Sequence, residues 1–252
     1  PDKDSEVAIL HTTAGDIGVM FFPQYAPKSV ENFLTHAKDG YYDGISFHRV
    51  IEDFMIQGGS SDSRHAPKET AVGMSNPGYT IEAEIRPEYR HFKGALAAAR
   101  QGDEVNPEKR SSGEQFYLVQ GKTYTDQELD QIEKRKWLAA KNQLGDRLFK
   151  PLQEEFQRYK KTGQYQKADS LLRYVNEEIE KQYAENPYKM SPETREMYKS
   201  VGGTPFLDGD YTVFGEIVEG MDVLEKIALV ATDSNDRPKE DVIILGTKLK
   251  RK

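Results

Sequence analysis

Residues 47–59 read FHRVIEDFMIQGG, a run that combines one guanidinium, one side-chain amide and several large apolar groups. The run contains no obvious nucleophile, which argues against a covalent mechanism here. Its Gly58-Gly59 pair resembles a phosphate-binding loop only superficially, and tight packing near a strand end is the expected use of these glycines. Arg49 and the apolar side chains that follow it are therefore the first candidates for function.

Short segments of β type lie on both sides of this run. Between Val7 and Phe22, apolar residues alternate on either side of Ala14-Gly15-Asp16, a pattern that predicts two strands joined as a hairpin. Pro27 at a first helical position and Gly40 after the last apolar repeat predict a short helix between them. Beyond residue 203 we predict two further strands, over 211–218 and 241–249, and a helix over 221–229.

Residues 122–203 have a different composition, rich in Lys, Glu and Gln with helical periodicity. Thr125 and Glu128 have the spacing of a capping box, and Pro151 predicts a kink or break. We therefore predict a helical insertion at 122–203 within a mainly β domain formed by residues 5–121 and 204–250. Two interpretations stay open: the insertion is a self-packed helical hairpin, or it is an arm that holds client proteins beside the β domain.

Composition narrows the classes of function. The formal net charge of -7 argues against a general nucleic-acid binder, because such proteins concentrate Lys and Arg. The chain has no cysteine, which excludes disulfides, thiolate metal sites and a cysteine nucleophile. No run approaches the ~20 apolar residues of a membrane span. The chain begins at Pro1 without Met, so we expect a processed product and favour export, to the periplasm or on a lipid anchor, over the cytoplasm.

The run at 47–59 resembles the signature of the cyclophilins, in which an FHR triplet precedes FMxQGG. Five further blocks agree in order: APKSVENF at 26–33, GYYDG at 40–44, HFKGALAAAR at 91–100, SGEQFY at 112–117 and FLDGDYTVFG at 206–215. The resemblance covers most of residues 7–121 and 204–249 and nothing in the insertion. It implies an eight-stranded antiparallel β-barrel capped by helices, with a surface groove that binds proline-containing polypeptides.

The activity that the resemblance implies is peptidyl-prolyl cis-trans isomerisation in the service of protein folding, with no metal, nucleotide or other cofactor. Arg49 is the expected catalytic residue, and His48 is expected to have a structural role because the reaction transfers no proton. The resemblance also implies a substrate-binding set: Phe54, Met55, Gln57, Ala99, Arg100, Gln115, Tyr117, Phe206, Leu207 and Tyr211. Within it, Ala99 and Arg100 are expected to pair with the peptide main chain.

Four positions depart from the family pattern. Phe206 stands where most members have Trp, Tyr211 where many have His, Tyr117 where Phe is common, and Arg100 where a small amide is usual. The pocket stays aromatic, so we expect an altered sequence preference and poorer binding of cyclosporin, since the indole N–H donor is lost. Loss of activity is not expected.

An alternative of another class is a non-catalytic binding or scaffolding module that uses the groove and the helical arm to hold a partner. The set Arg49, Phe54, Met55 and Gln57 discriminates against it, because a scaffold has no physical need for the guanidinium. The other histidines, His11, His36, His65 and His91, are scattered without metal spacing and are interpreted as structural. We expect a monomer, with a client or partner protein as a further ligand of the insertion.

Overall fold

The computed structural model describes residues 6–251 and divides them into two compact units. The first unit ends at Thr123 and resumes at Met197, and the second is Tyr124–Glu196. The first unit carries the strands β1 (Glu6–Thr12), β2 (Gly15–Phe21), β3 (Arg49–Ile51), β4 (Met55–Gly58), β5 (Thr80–Ile81), β6 (Ala95–Ala98), β7 (Ser111–Ser112), β8 (Phe116–Val119), β9 (Val213–Glu219) and β10 (Ile244–Arg251).

Eight of these strands form one antiparallel sheet in the order β10-β1-β2-β9-β6-β8-β4-β3, and β5 pairs with β7 separately. The two ends of the sheet meet: Ser46, just before β3, forms a bridge to Ile243, just before β10, and the Phe47 N–H donates to the Val242 carbonyl at 2.9 Å. The sheet therefore curls into a barrel, and the predicted eight-stranded antiparallel fold is confirmed.

Alternation along the strands separates two apolar clusters. Leu96 and Ala98 of β6, Ile56 of β4, and Phe116 and Leu118 of β8 point into the main core. Their strand neighbours lie on the opposite side and form a second cluster: Met55, Ala95, Ala97, Ala99, Tyr117, Val119 and Val213. Since successive side chains of a strand point to opposite faces, the same three strands build the core and the floor of the second cluster.

Helices cover the main core. The helix α1 (Pro27–Lys38) inserts Phe33, whose ring centroid lies 5.2 Å from that of Phe116 and 5.4 Å from that of Phe21. The helix α6 (Met221–Ala228) adds its buried Leu224 and Ile227. A fully buried Phe contributes about 1.5–3 kcal/mol relative to an exposed one, and α1 buries Val30 and Ala37 beside this ring.

The second unit is helical, with α2 (Asp126–Phe149), α3 (Gln153–Lys161) and α4 (Tyr165–Glu185). The capping box is present at α2, where the Thr125 hydroxyl accepts from the Glu128 N–H at 3.2 Å and the Glu128 carboxylate accepts from the Thr125 N–H at 2.8 Å. Pro151 lies in a 3-10 turn over Lys150–Leu152 that separates α2 from α3, which confirms the predicted break.

The helix α5 (Pro192–Ser200) spans the boundary between the two units. Its last turn belongs to the first unit, where the ring of fully buried Tyr198 packs on Phe92 with centroids 4.7 Å apart. The units therefore divide at residues 124 and 196, against sequence-based boundaries of 122 and 203. Within residues 6–251, no helix is both long and apolar enough to cross a membrane.

Candidate functional site

A pocket of about 160 Å³ opens on the face of the barrel opposite the main core. Its lining consists of Arg49, Phe54, Met55, Gln57, Ala99, Arg100, Tyr117, Leu207 and Tyr211. Pockets for drug-sized ligands occupy roughly 300–1,000 Å³, so this one suits a single small side chain. Four separate parts of the sequence thus contribute to one small pocket that combines aromatic and aliphatic side chains with the guanidinium of Arg49.

Arg49 lies on β3 directly opposite Gln57 of β4, which places both side chains on the same face. The guanidinium donates to Gln57 Oε1 at 3.5 Å, and its Nε lies 4.0 Å from a carboxylate oxygen of Asp236. Gln57 Nε2 in turn donates to Gln115 Oε1 at 3.0 Å. The guanidinium therefore lies at the end of a line of amides and remains accessible, with 44% of its side chain exposed.

This line of amides ends on the loop 73–75. Gln115 Nε2 donates to the carbonyls of Gly73 and Ser75, at 3.1 and 3.2 Å. The loop is held by Asp62, whose carboxylate accepts the backbone N–H groups of Gly73, Met74 and Ser75 at 2.8–3.1 Å. Partial burial alone would raise the pKa of Asp62, but these hydrogen bonds and one from a serine hydroxyl outweigh it and lower the pKa. No sequence motif indicated Asp62.

His48 lies beside the pocket and does not line it. Burial lowers its pKa to about 4, so the imidazole is neutral near pH 7. Among the residues that the structure describes, Nδ1 of this imidazole has no hydrogen-bond partner. Gly73 approaches the ring closely: its φ is 93°, and an added Cβ would lie 2.7 Å from Nε2. The structural role of His48 thus stays a prediction: the ring is packed against Gly73 and does not line the pocket.

Two of the departures from the family pattern interact with each other. The Arg100 guanidinium lies 4.5 Å from the centroid of the Tyr211 ring, and it donates to the Asp210 carbonyl and to Asp103 Oδ1, both at 2.7 Å. Only 6% of the Arg100 side chain is exposed. Its charge is thus paired within the chain, and its guanidinium lies over the ring of Tyr211, which lines the pocket as well.

The structure also distinguishes residues that the sequence grouped together. The N–H of Ala99 donates to the Gln115 carbonyl at 3.0 Å and its carbonyl accepts from the Ser112 N–H at 2.8 Å, so both backbone groups already have partners. Phe206 lies outside the pocket lining; it is 42% exposed, and its ring centroid is 5.6 Å from that of Phe54. Gln115 lies behind Gln57.

A buried imidazole stands behind the pocket, and sequence reasoning missed it. His91 is fully buried and lies between Asp208 and the hydroxyl of Tyr117. The spacing of His91 along the chain gave no signal, since its partners are far away in sequence. Its position at the start of the family block at 91–100 was the only indication that this residue belongs near the pocket.

An eight-stranded antiparallel barrel with an accessible guanidinium beside a small aromatic pocket is the arrangement that the sequence analysis expected of a prolyl isomerase. The family model described as cyclophilin type peptidyl-prolyl cis-trans isomerase matches residues 7–137 and 143–249. The chain belongs to this family and is a cyclophilin-type peptidyl-prolyl cis-trans isomerase.

Relatives and solved structures agree with this assignment. The chain is 35% identical over 246 residues to a protein of Staphylococcus haemolyticus that bears the name of a peptidyl-prolyl cis-trans isomerase, covering 96% of this chain and 90% of the relative. A protein of the same name from Staphylococcus aureus is 34% identical, with coverage of 94% and 87%. These alignments are too long to omit the helical unit.

The fold itself is similar to the crystal structure of a cyclophilin-type isomerase from Cryptosporidium parvum, with a TM-score of 0.57 over 98% of both chains and 18% sequence identity. At that identity the similarity concerns the fold alone. A second structure of that protein, in the presence of the dipeptide Ala-Pro, gives a TM-score of 0.54.

Proposed function

We propose that this isomerase holds the substrate proline in the pocket beneath Tyr117 and Tyr211 and weakens the Xaa-Pro amide with Arg49. The observation that supports this is the convergence of one accessible guanidinium and a pocket of single-residue size with aromatic walls. Phe54, Met55 and Leu207 supply the apolar surface that a pyrrolidine ring requires.

The chemical task explains why a guanidinium is needed. Rotation about the amide C–N bond has a barrier of ~18–20 kcal/mol because the nitrogen lone pair is delocalised into the carbonyl. In the twisted state the lone pair returns to nitrogen and can accept a hydrogen bond from Arg49. This interaction is stronger in the twisted state than in the planar one, so it accelerates rotation instead of merely binding substrate. Gln57 Oε1 lies 3.5 Å from this guanidinium, on the paired strand β4.

We expect the main chain of Arg100 to pair with the main chain of the bound peptide. The backbone groups of Ala99 are occupied within the chain, so Ala99 contributes its methyl group to the pocket wall. Arg100 follows it at the same rim, with its side chain turned onto Tyr211. This arrangement leaves the main chain at residue 100 as the groove edge for an extended peptide.

The decisive experiment compares the native chain with Arg49→Lys by exchange NMR of a short Xaa-Pro peptide. Lysine keeps the charge but lacks the planar fork, so kcat should fall by about 10–100-fold, the order of one charge-assisted hydrogen bond, while peptide binding is retained. Arg173→Lys, an exposed change in the helical unit, is the matched control. Equal kcat in all three proteins would exclude Arg49 as the catalytic group, and binding without acceleration would favour a holding module.

We also propose that the helical unit holds flexible segments of client proteins for the isomerase. Large apolar side chains are exposed on it, among them Leu138 at 51%, Tyr165 at 62% and Tyr174 at 53%. Replacing residues 124–196 with a short linker retains Tyr198, which the barrel unit needs. The shortened protein should isomerise short peptides as fast as the native chain but assist refolding of an unfolded protein more slowly. Equal losses on both substrates would contradict the proposal.

A further inference from the structure

Behind the pocket, Asp208, His91 and Tyr117 form a chain of hydrogen bonds that is closed to solvent. His91 Nδ1 lies 3.0 Å from Asp208 Oδ1, and Nε2 lies 2.9 Å from the hydroxyl oxygen of Tyr117. The exposed fractions of the three residues are 1%, 0% and 4% in the same order. A buried polar group that loses its partner destabilises the state that contains it, so each member depends on the others.

Asp208 determines which nitrogen of the imidazole carries the hydrogen. Its Oδ1 accepts from the His91 backbone N–H at 2.8 Å and its Oδ2 from the Tyr198 hydroxyl at 2.7 Å, so the carboxyl group acts as an acceptor throughout. His91 Nδ1 must then be the donor to Oδ1. In the neutral imidazole Nε2 is consequently the acceptor, and the hydroxyl of Tyr117 donates to it.

These hydrogen bonds join two walls of the pocket. Asp208 directly follows Leu207, which lines the pocket, and lies three residues before Tyr211, which lines it as well. Tyr117 belongs to β8 on the other side, and its ring meets that of Tyr211 edge-on, with centroids 5.8 Å apart and planes at 86°. The His91 and Tyr117 rings are nearly parallel, at 12°. One imidazole thus fixes the positions of both aromatic walls.

We infer that His91 and Asp208 are positioning residues for the proline pocket, acting through the hydroxyl of Tyr117. Neither lines the pocket. A phenylalanine at position 117, which is common in the family, would be held by packing alone. Tyr117 is held in addition by the hydrogen bond between its hydroxyl and His91. The inference rests on the proposed role of the pocket in binding proline.

A double-mutant cycle tests it, using His91→Asn, Tyr117→Phe and the combination. Asparagine keeps an N–H donor for Asp208 and removes the acceptor for Tyr117. The change therefore isolates the hydrogen bond between residue 91 and the hydroxyl of Tyr117. Exchange NMR over a series of peptide concentrations gives KM and kcat separately. His91→Asn should raise KM about fivefold, the order of one buried hydrogen bond, with kcat nearly unchanged. In the Tyr117→Phe background the same change should leave KM unaltered, because no hydroxyl remains to be positioned.

His11→Asn serves as the control, since His11 lies on β1 with 41% of its side chain exposed. A role in stability alone would lower the unfolding midpoint of His91→Asn without moving the KM of the folded protein, and would overturn the inference. An equal rise of KM in both backgrounds would overturn it too. If His91→Asn does not fold, the ¹⁵N chemical shifts of the His91 imidazole test the inference instead. In the native chain Nδ1 must carry the hydrogen, and Tyr117→Phe must change the chemical shift of Nε2.

Failure of this inference is distinguishable from failure of the proposed function. Arg49→Lys acts on kcat, whereas the His91 cycle acts on KM. Suppose that Arg49→Lys leaves kcat unchanged while His91→Asn still raises KM. The positioning role of His91 would then stand, and Arg49 would no longer be the catalytic residue. The reverse result would retain the catalyst and leave Tyr117 positioned by packing.

Discussion

Replacing His48 with glutamine should remove a loss of stability that the native protein suffers between about pH 7 and pH 5. Burial lowers the pKa of His48 from 6.5 in the unfolded chain to about 4 in the folded one. Between these two pKa values, His48 is protonated in the unfolded chain and neutral in the folded chain. Because the folded pKa is depressed, the contribution to stability is fully present above pH 6.5 and is lost as the pH falls towards 4.

The magnitude follows from these two pKa values. A difference of one pKa unit corresponds to ~1.4 kcal/mol. At pH 5 the unfolded imidazole is almost fully protonated and the folded one almost fully neutral, so the loss between pH 7 and pH 5 is about 2 kcal/mol. Asp62 adds little in this interval, since its pKa lies below the ordinary value of 3.8.

The assay is urea denaturation at several pH values, followed by the near-ultraviolet circular dichroism of ordered tyrosines. Trp137, the single tryptophan, lies in the helical unit and would not report on the barrel. His48→Gln should be less stable than the native chain at pH 7 but should lack its decline towards pH 5, and the exposed His11→Gln should keep the decline. A native chain and a His48→Gln variant with parallel pH profiles would refute the reasoning.

Three further predictions concern single side chains. Asp62→Asn should cost the barrel about 2 kcal/mol of unfolding free energy and weaken peptide binding, because an amide cannot replace the carboxylate that accepts three N–H groups of the loop 73–75; peptide binding equal to that of the native chain would contradict this. Thr125→Ala should cost α2 about 1 kcal/mol by removing its capping box, as followed by Trp137 fluorescence, whereas an unchanged midpoint would mean that the box is not stabilising. Phe206→Trp should strengthen cyclosporin binding about tenfold in calorimetric titrations by restoring an indole donor at the exposed rim, and unchanged affinity would assign the difference to Arg100 or Tyr211.

Much of the architecture could be predicted because it is encoded locally. The hairpin around Gly15 and the helix from Pro27 follow from alternation and helical spacing within a dozen residues, and the structure has both. The capping box at Thr125 and the break at Pro151 are equally local and were predicted correctly. Contacts across the chain are not encoded in this way. The hydrogen bond from Tyr198 to Asp208, which ties the last turn of α5 to the barrel unit, leaves no trace in the helical pattern.

The candidate site also has features that the local sequence predicts and features that depend on contacts between distant segments. The sequence alone determined the residue types: the contiguous run at 47–59 supplies Arg49, Phe54 and Gln57 together. The pairing of β3 with β4 places Arg49 and Gln57 on one face, and Phe54 lies in the turn between these two strands. Only the tertiary structure decided what holds the pocket residues in place. His91 and Asp208, which lie behind Tyr117, are 117 positions apart, and no sequence motif predicts that Asp62 accepts the backbone N–H groups of the loop 73–75. Local periodicity reports how each segment is oriented, whereas hydrogen bonds between distant segments exist only after the barrel has brought their ends together.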